Sequence, residues 1–171
     1  MPIHARRAEP RDVDGICRVC ADAYRATYPG LLPENSIEHV ISEFYNAERV
    51  RSELLEPEGW DGWWVADEDG VVVGAGGGAI TARGVSEVYV LYVDPSRRGE
   101  GIGTLLLDAI TPELIELGAR EQWVSVQKGN EMGVPFYEAR GFVAKGERPS
   151  FGGVKSTSLR LRRLLTTSSR Q

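Results

Sequence analysis

Apolar residues recur every three or four positions in the first part of the chain, a spacing typical of helices that bury one face. After a short strand predicted at residues 3–7, one such series predicts a helix that begins near Pro10, a residue suited to a first helical turn. A second series predicts another helix, and a turn-rich segment at residues 28–33 separates the two. The apolar positions are Val13, Ile16, Val19, Cys20 and Ala23 in the first helix and Ile37, Val40, Ile41 and Phe44 in the second.

The middle and the end of the chain carry shorter apolar runs, which predict strands between two further helices. Strands are predicted at residues 63–67, 71–80, 88–93 and 123–127, and a closing β segment is predicted from Phe142 through Leu161. One helix is predicted at residues 104–117, with Gly118 as its C-terminal stop, and a short one at residues 134–139. Pro112 falls inside the longer helix and predicts a kink or an early break.

This order of strands and helices predicts a single α/β (mixed α+β) domain with a largely antiparallel central sheet. The 171 residues, of which 42% are hydrophobic and 26% are charged, suffice for one compact core. We expect the domain to span residues 1–165 and residues 166–171 to form a flexible tail.

Charge and cysteine usage narrow the function classes. A formal net charge of −5 argues against non-specific nucleic-acid binding. Residues 1–11 are too polar for a signal peptide, and no run approaches the about 20 apolar residues of a membrane span, so we expect a cytoplasmic protein without a membrane partner. Cys17 and Cys20 lie on an apolar helix face, and few histidines are present, so buried thiols are expected and no metal site.

The residues that carry chemistry lie at 91–104, where a predicted strand leads through a glycine-rich turn into a helix. Gly99, Gly101 and Gly103 remove side chains where backbone amides must converge, and the positive end of the helix dipole points at the same place. This arrangement predicts a pyrophosphate cradle. Arg97 and Arg98 are candidates for additional contacts with phosphate groups.

With Arg98, Gly101 and Gly103 at these positions, the segment resembles the acetyl-coenzyme A loop of the GNAT superfamily of N-acetyltransferases. The resemblance implies acetyl-CoA as co-substrate and a splayed sheet of six to seven strands flanked by about four helices. It also implies that Leu91, Tyr92 and Val93 offer backbone groups to the pantetheine arm. The loop candidates for cofactor binding are Arg98, Gly99, Glu100, Gly101, Ile102, Gly103 and Thr104.

A second segment, at residues 130–142, resembles the downstream cofactor segment of the same family, except that Gly133 stands where a small residue such as Ala is usual. The resemblance implies that Asn130 contacts the pantetheine arm and that Tyr137 is the general acid toward the departing thiolate, a role that suits a phenol. Glu87, at the start of the central strand, resembles the catalytic base of some members. A chain of water molecules is the alternative base.

The resemblance predicts transfer of an acetyl group to a primary amine by direct attack, through a tetrahedral intermediate. Aromatic residues of the first helices and strands are candidates for the wall of an acceptor pocket, which would favour a cationic amine. They are Tyr24, Tyr28 and Trp64, together with Thr27, Tyr45 and Trp63. A small-molecule or peptide amine is expected as acceptor and a homodimer as assembly, whereas the acceptor's identity and the acyl chain length stay open.

Two other functions compete with acetyl transfer. The fold would also suit a sensor or regulatory module that binds acyl-CoA without turnover. Gly74, Gly76 and Ala79 follow a strand with the spacing of a dinucleotide fingerprint, which would indicate an oxidoreductase. That fingerprint requires a helix to begin among the glycines, and the residues after Ala79 have no helical pattern. A glycine-rich strand beside another backbone explains the same residues.

Overall fold

The computed structural model describes residues 2–149 and 156–166, which form a mixed α/β fold with seven strands and five α-helices. The strands are β1 (His4–Arg7), β2 (Trp64–Glu68), β3 (Val71–Ala82), β4 (Val85–Val93), β5 (Glu121–Gln127), β6 (Val143–Pro149) and β7 (Thr157–Leu164). The helices are α1 (Val13–Thr27), α2 (Glu34–Phe44), α3 (Ala47–Leu55), α4 (Ile102–Glu116) and α5 (Gly133–Glu138). The predicted fold class is therefore confirmed.

The seven strands form one sheet in the order β1-β2-β3-β4-β5-β7-β6. All neighbouring strands are antiparallel except β4 and β5, which are parallel and are connected through α4. The predicted closing β segment is a pair of antiparallel strands, β6 and β7. Residues 150–155 and 167–171 lie outside the described residues, so the predicted tail is almost wholly outside them as well.

Two layers of helices cover the two faces of the sheet. α1, α2 and α3 share one buried cluster with Val65 and Val72, whereas α4 shares a second cluster with Ala66 and Val73. Because successive residues of a strand point to opposite faces, these neighbouring pairs assign the clusters to opposite sides of the sheet. The sheet is thus buried on both faces in its central part.

A partly buried charge cluster fastens the start of the chain to the sheet. The Arg6 guanidinium donates to Asp12 at 2.8 Å and to Asp67 of β2 at 3.0 Å, and both carboxylates are buried. Burial opposes ionisation of Asp67, but hydrogen bonds from Arg6 and from the backbone N–H of Gly70 outweigh it and lower the pKa of Asp67. The cluster ties β1, the turn before α1 and β2 together.

The glycine-rich segment is part of an uninterrupted strand, β3, and no helix begins there. A Cβ atom at Gly78 would lie 2.5 Å from the backbone oxygen of Glu87 on β4, and one at Gly77 would collide with the backbone oxygen of Gly62. Glycine is therefore required by close backbone approach. The dinucleotide-fingerprint alternative is wrong, because its glycines need a helix N-terminus that this strand does not provide.

Two helical features differ from the sequence prediction. α3 has no predicted counterpart, because Val50 is its single buried residue and its apolar pattern is weak. α4 continues through Pro112 as far as Glu116, so the early break does not occur. Gly118 follows the helix with φ +107°, as its predicted stop position requires.

The two cysteines are free thiols. Cys20 is buried, as predicted, whereas Cys17 is only partly buried. Burial raises the pKa of both. In the described part of the chain, no helix combines the length and the hydropathy needed to cross a membrane. The same residues contain no cluster of three or more His, Cys, Asp or Glu side chains suited to a metal ion.

Candidate active site

The central feature of the candidate site is the gap between the two parallel strands. β4 and β5 are paired only where residues 85–88 face residues 121–124. In the β3–β4 register Gly77 faces Val90 and Gly78 faces Val88, so Tyr89 is an extra residue that forms a β-bulge. Because a bulge bends its strand, β4 diverges from β5 directly after their last paired residues. The sheet therefore opens into a wedge.

A cavity of about 470 Å³ fills this wedge and continues past the glycine-rich turn. Its walls come from β4, the turn, the N-terminus of α4, β5 and α5. Most of the predicted cofactor-binding residues lie together along it: Leu91, Tyr92, Val93, Arg98, Gly99, Gly101, Ile102, Gly103, Thr104, Asn130 and Tyr137. The exception among the described residues is Glu100, whose side chain is not part of the lining.

The glycine-rich turn lines the cavity at the N-terminus of α4. Gly99 and Gly101 have φ of +84° and +81°, a left-handed conformation that favours glycine. Gly101 precedes α4 without a side-chain cap, so the first amides of this helix have no side-chain acceptor at the N-cap. A helix N-terminus of this kind attracts anions.

Three arginines and no acidic residue line this cavity among the described residues. Arg97 is engaged by Glu68 at 2.7 Å and by Glu100 at 2.8 Å, which explains why Glu100 points away from the cavity. Arg98 is exposed and spans the cavity mouth, where it donates to the Thr27 hydroxyl at 3.0 Å and contacts the Met132 sulfur at 3.6 Å. The electrostatic character of the cavity suits a polyphosphate.

Arg140 is a cavity residue that the sequence analysis missed. Its guanidinium stacks on Phe136 at 3.8 Å from the ring centroid and donates to the hydroxyl of Thr104 at 3.0 Å, beside the N-terminus of α4. The two residues are 36 positions apart, so only the packing of α5 against α4 reveals this contact.

Asn130 holds the N-terminus of α5. Its side-chain oxygen accepts hydrogen bonds from the backbone N–H groups of Met132 at 3.1 Å and Gly133 at 3.0 Å. The carbonyl oxygen of the Asn130 side chain is thus engaged in capping, which leaves its amide NH₂ group as the donor for a ligand. A Cβ atom at Gly133 would lie 2.8 Å from Val126 Cγ1 and 3.1 Å from Asn130 Nδ2.

Tyr137 lies on α5, with its ring against Phe136 and Phe142 at centroid distances of 5.0 and 5.2 Å. Its hydroxyl has no hydrogen-bond partner within residues 2–149 and 156–166. Burial, reinforced by the nearby Tyr28, raises the pKa of Tyr137 above the usual value of a phenol. The hydroxyl therefore keeps its proton over the ordinary pH range.

A second cavity, of about 370 Å³, adjoins the first on the α1–α3 side of the sheet. The two share Tyr28, Tyr89, Tyr92 and Ser125, together with Val88. The other aromatic walls of the second cavity are Tyr24, Phe44, Tyr45, Trp60 and Trp63. Burial raises the pKa values of Tyr24, Tyr28, Tyr45 and Tyr92, so these hydroxyls stay neutral.

The predicted place of Trp64 in the aromatic wall of the acceptor pocket is wrong. Trp64 lines neither of these cavities and instead packs with the α4 cluster on the opposite face of the sheet, with the Arg7 guanidinium 4.8 Å from its ring centroid. Trp63, which packs with the α1 cluster, is the tryptophan of this pair that lines the second cavity. The alternation of side chains along an extended segment separates the two neighbours.

Glu87 lies in the lining of the second cavity, and its side chain is largely buried. Its carboxylate accepts hydrogen bonds from Arg160 at 2.7 and 3.2 Å and from Arg148 at 3.1 Å. These arginines lie on β7 and β6, distant from Glu87 in sequence but brought beside it by the strand order.

Comparison with known proteins assigns these features to a family. The sequence pattern of the acetyltransferase (GNAT) family matches residues 21–142. A spermidine N(1)-acetyltransferase from Thermoplasma acidophilum is 27% identical over 144 residues, which cover 83% of this chain and 89% of that protein. A mycothiol acetyltransferase from Propionibacterium freudenreichii is 42% identical over 78 residues. That match covers 46% of this chain but only 21% of the relative, so the chain spans about a fifth of the relative's length.

Solved structures of low sequence identity have the same fold as this chain. The PaiA N-acetyltransferase from Thermoplasma acidophilum, in complex with coenzyme A, superposes with a TM-score of 0.81 at 23% identity. The superposition covers 96% of this chain and all of that protein. The Ard1 protein from Thermoplasma volcanium gives a TM-score of 0.74 at 20% identity and covers 98% of this chain and all of the matched protein.

Proposed function

The chain belongs to the acetyltransferase (GNAT) family of transferases, and from this premise we propose that it moves an acetyl group from acetyl-CoA to a primary amine. The observation that carries the proposal is the wedge between β4 and β5, with a glycine-rich helix N-terminus at one end and an adjoining aromatic cavity. Cofactor and acceptor would meet where the two cavities share Tyr28, Tyr89 and Ser125.

The residues of the first cavity fit coenzyme A in shape and charge. The amides around Gly101 and the guanidinium of Arg98 would hold the pyrophosphate, for which Arg98 exchanges its contacts with Thr27 and Met132. Arg140, fixed on Thr104, would add positive charge at the same end. The open edge of β4 at residues 91–93 and the Asn130 amide would bind the pantetheine arm.

Acetyl-CoA supplies an activated thioester, and the chain supplies positioning and a proton. The amine nitrogen forms a bond to the thioester carbonyl carbon, the carbon–sulfur bond breaks, and the sulfur takes a proton from the Tyr137 hydroxyl. The raised pKa of Tyr137 suits this role, because the acid is then present in its protonated form.

The amine must lose a proton before or during its attack. Glu87 is the predicted base, but its two oxygens already accept three hydrogen bonds from Arg148 and Arg160. This engagement favours the alternative of water as the proton acceptor, with Glu87 fixing the two arginines. We propose that alternative.

Small-molecule amines are the acceptor class that the relatives support, since their names specify spermidine and mycothiol. A homodimer and a cytoplasmic location stay predictions.

A free-thiol assay tests the proposed function. Purified protein is mixed with acetyl-CoA and a panel of amines, and calorimetry measures coenzyme A affinity in parallel. Thiol release that depends on the amine supports the transferase. Tight binding without release from any amine would indicate a sensor of acyl-CoA, and a lack of binding would overturn the proposed cofactor site.

A further inference from the structure

The charged residues of the second cavity divide into two groups. Arg49, Glu53 and Glu58 lie at the end formed by α3 and the segment after it, and Glu87 and Arg148 lie at the end formed by β4 and β6. A polyamine site would need several unpaired carboxylates to balance several ammonium groups. The ion pairs within each group determine whether the cavity contains unpaired carboxylates.

The α3 end provides little free negative charge. Glu53 accepts a hydrogen bond from the Trp63 indole at 2.8 Å and another from Arg49 at 3.2 Å, so both of its oxygens are engaged within the protein. Glu58 is exposed, and of the acidic residues in the described lining it alone has no ion pair.

The β4–β6 end carries an excess of positive charge. Glu87 and Arg148, which line the cavity, balance each other, and Arg160, which binds Glu87 from outside the lining, brings the formal charge of the three groups to +1 at neutral pH. Arg160 is held firmly: 17% of its side chain is exposed, and it also donates to Ser125 at 2.8 Å. Arg148 is 47% exposed and uses one nitrogen for Glu87, so further N–H donors remain for a ligand.

This positive end adjoins the junction with the cofactor cavity. Glu87 directly precedes Val88, at which the pairing of β4 with β5 ends, and Ser125 lines both cavities and is bonded to Arg160. An amine held at the junction would therefore lie beside Ser125 and the strand residue after Glu87, with Arg148 and the aromatic wall in the adjoining cavity. Guanidinium groups are well suited to carboxylates.

We propose, on the basis of the acetyl transfer argued above, that the acceptor is an amine with a carboxylate on the neighbouring carbon, an α-amino acid with an apolar or aromatic side chain. The carboxylate binds Arg148, and the side chain packs between Trp60, Trp63 and the tyrosines. Arg148 is then a specificity-determining residue.

Matched acceptors test the proposal. L-Phenylalanine and 2-phenylethylamine differ by the carboxylate alone, and spermidine represents the polyamines. For the unaltered chain, we expect kcat/KM to be highest for phenylalanine, by about tenfold or more, as befits hydrogen bonding to a charged group. Arg148→Ala should remove this preference by raising KM for phenylalanine while leaving phenylethylamine within about twofold, and Arg148→Lys should restore part of it.

Arg162→Ala is the matched control, because Arg162 lies on β7 near Glu121, 3.9 Å away, and is absent from the cavity lining. This variant should keep the preference for phenylalanine. A kcat/KM for phenylethylamine or spermidine that equals or exceeds that for phenylalanine would overturn the proposal.

A measurement of acceptor binding tests the proposed amino-acid site independently of the proposed transferase activity. If no amine releases thiol, the proposed transferase fails, and phenylalanine is then titrated into the CoA-saturated protein with tryptophan fluorescence as the signal, to which Trp60 and Trp63 in the cavity wall contribute. A saturable change that Arg148→Ala abolishes would still support an aminocarboxylate site. No saturable change with phenylalanine or other apolar α-amino acids would overturn it.

Discussion

Gly133 lies so close to Val126 that a Cβ atom on Gly133 would come within 2.8 Å of Val126 Cγ1. We therefore expect Gly133→Ala to push α5 away from β5, to lower the free energy of unfolding by about 1–3 kcal/mol and to weaken coenzyme A binding. Denaturant unfolding and calorimetry measure the two effects.

The double variant Gly133→Ala with Val126→Ala is the control, since it removes the methyl group that the new Cβ would meet. The double variant should lose less free energy of unfolding than the sum of the losses in the two single variants. Strict additivity would show that the contact with Val126 is not the reason for the glycine.

Gly101→Glu places a side chain and a negative charge at the N-terminus of α4, in a conformation that disfavours any residue except glycine. We expect coenzyme A binding to fall below detection by calorimetry. Gly118→Glu is the matched control, because it makes the same change at a positive φ at the opposite end of the same helix. If both variants bind coenzyme A equally, the proposed phosphate site is wrong.

Tyr137→Phe should lower kcat by about 100-fold and leave the affinity for coenzyme A unchanged, because the lost hydroxyl donates a proton only during the reaction. The raised pKa of Tyr137 gives a further expectation. Since the active form is the protonated phenol, kcat should not decline up to about pH 10, the ordinary value for tyrosine. A decline centred well below that pH, or full activity of the variant, would contradict the role.

Asp67→Asn should cost about 3 kcal/mol of stability at pH 7, because it leaves Arg6 and its buried surroundings without one carboxylate. The folded state lowers the pKa of Asp67, so its stabilisation is present above the ordinary carboxyl pKa of about 4 and is lost as the pH falls. The difference between the two proteins should shrink in urea unfolding at acidic pH. Asp69→Asn, in the exposed turn beside it, should change stability little at either pH.

The sequence was sufficient to predict the helices and strands with strong apolar periodicity and the glycine-rich loop. β4, α4 and the turn at Gly101 are consecutive in the chain, so their local pattern carries the site that they form. α3 has one buried residue, and its clearest signal is the cap at Asn46, whose side chain accepts from the Arg49 backbone at 2.8 Å.

Other parts of the site depend on contacts between distant segments. Arg148 and Arg160 are 61 and 73 residues from Glu87, and only the strand order β4-β5-β7-β6 brings them together. Which of Trp63 and Trp64 lines the second cavity depends on the face of the sheet against which α1 packs. Neither fact has a local signal in the sequence, so the paired state of Glu87 and the position of Trp64 were beyond prediction.

The short pairing of β4 with β5 also bears on how the protein unfolds. Four residue pairs join an antiparallel block of β1–β4 to an antiparallel block of β5–β7, and α4 connects the two. A ligand in the wedge contacts both blocks, so its binding energy adds directly to their cohesion and raises the unfolding temperature with its concentration. Amide hydrogens on both sides of the wedge should then exchange more slowly with solvent. The co-substrate therefore contributes to the stability of the sheet, and the lifetime of the protein in the cell would increase with the co-substrate's concentration.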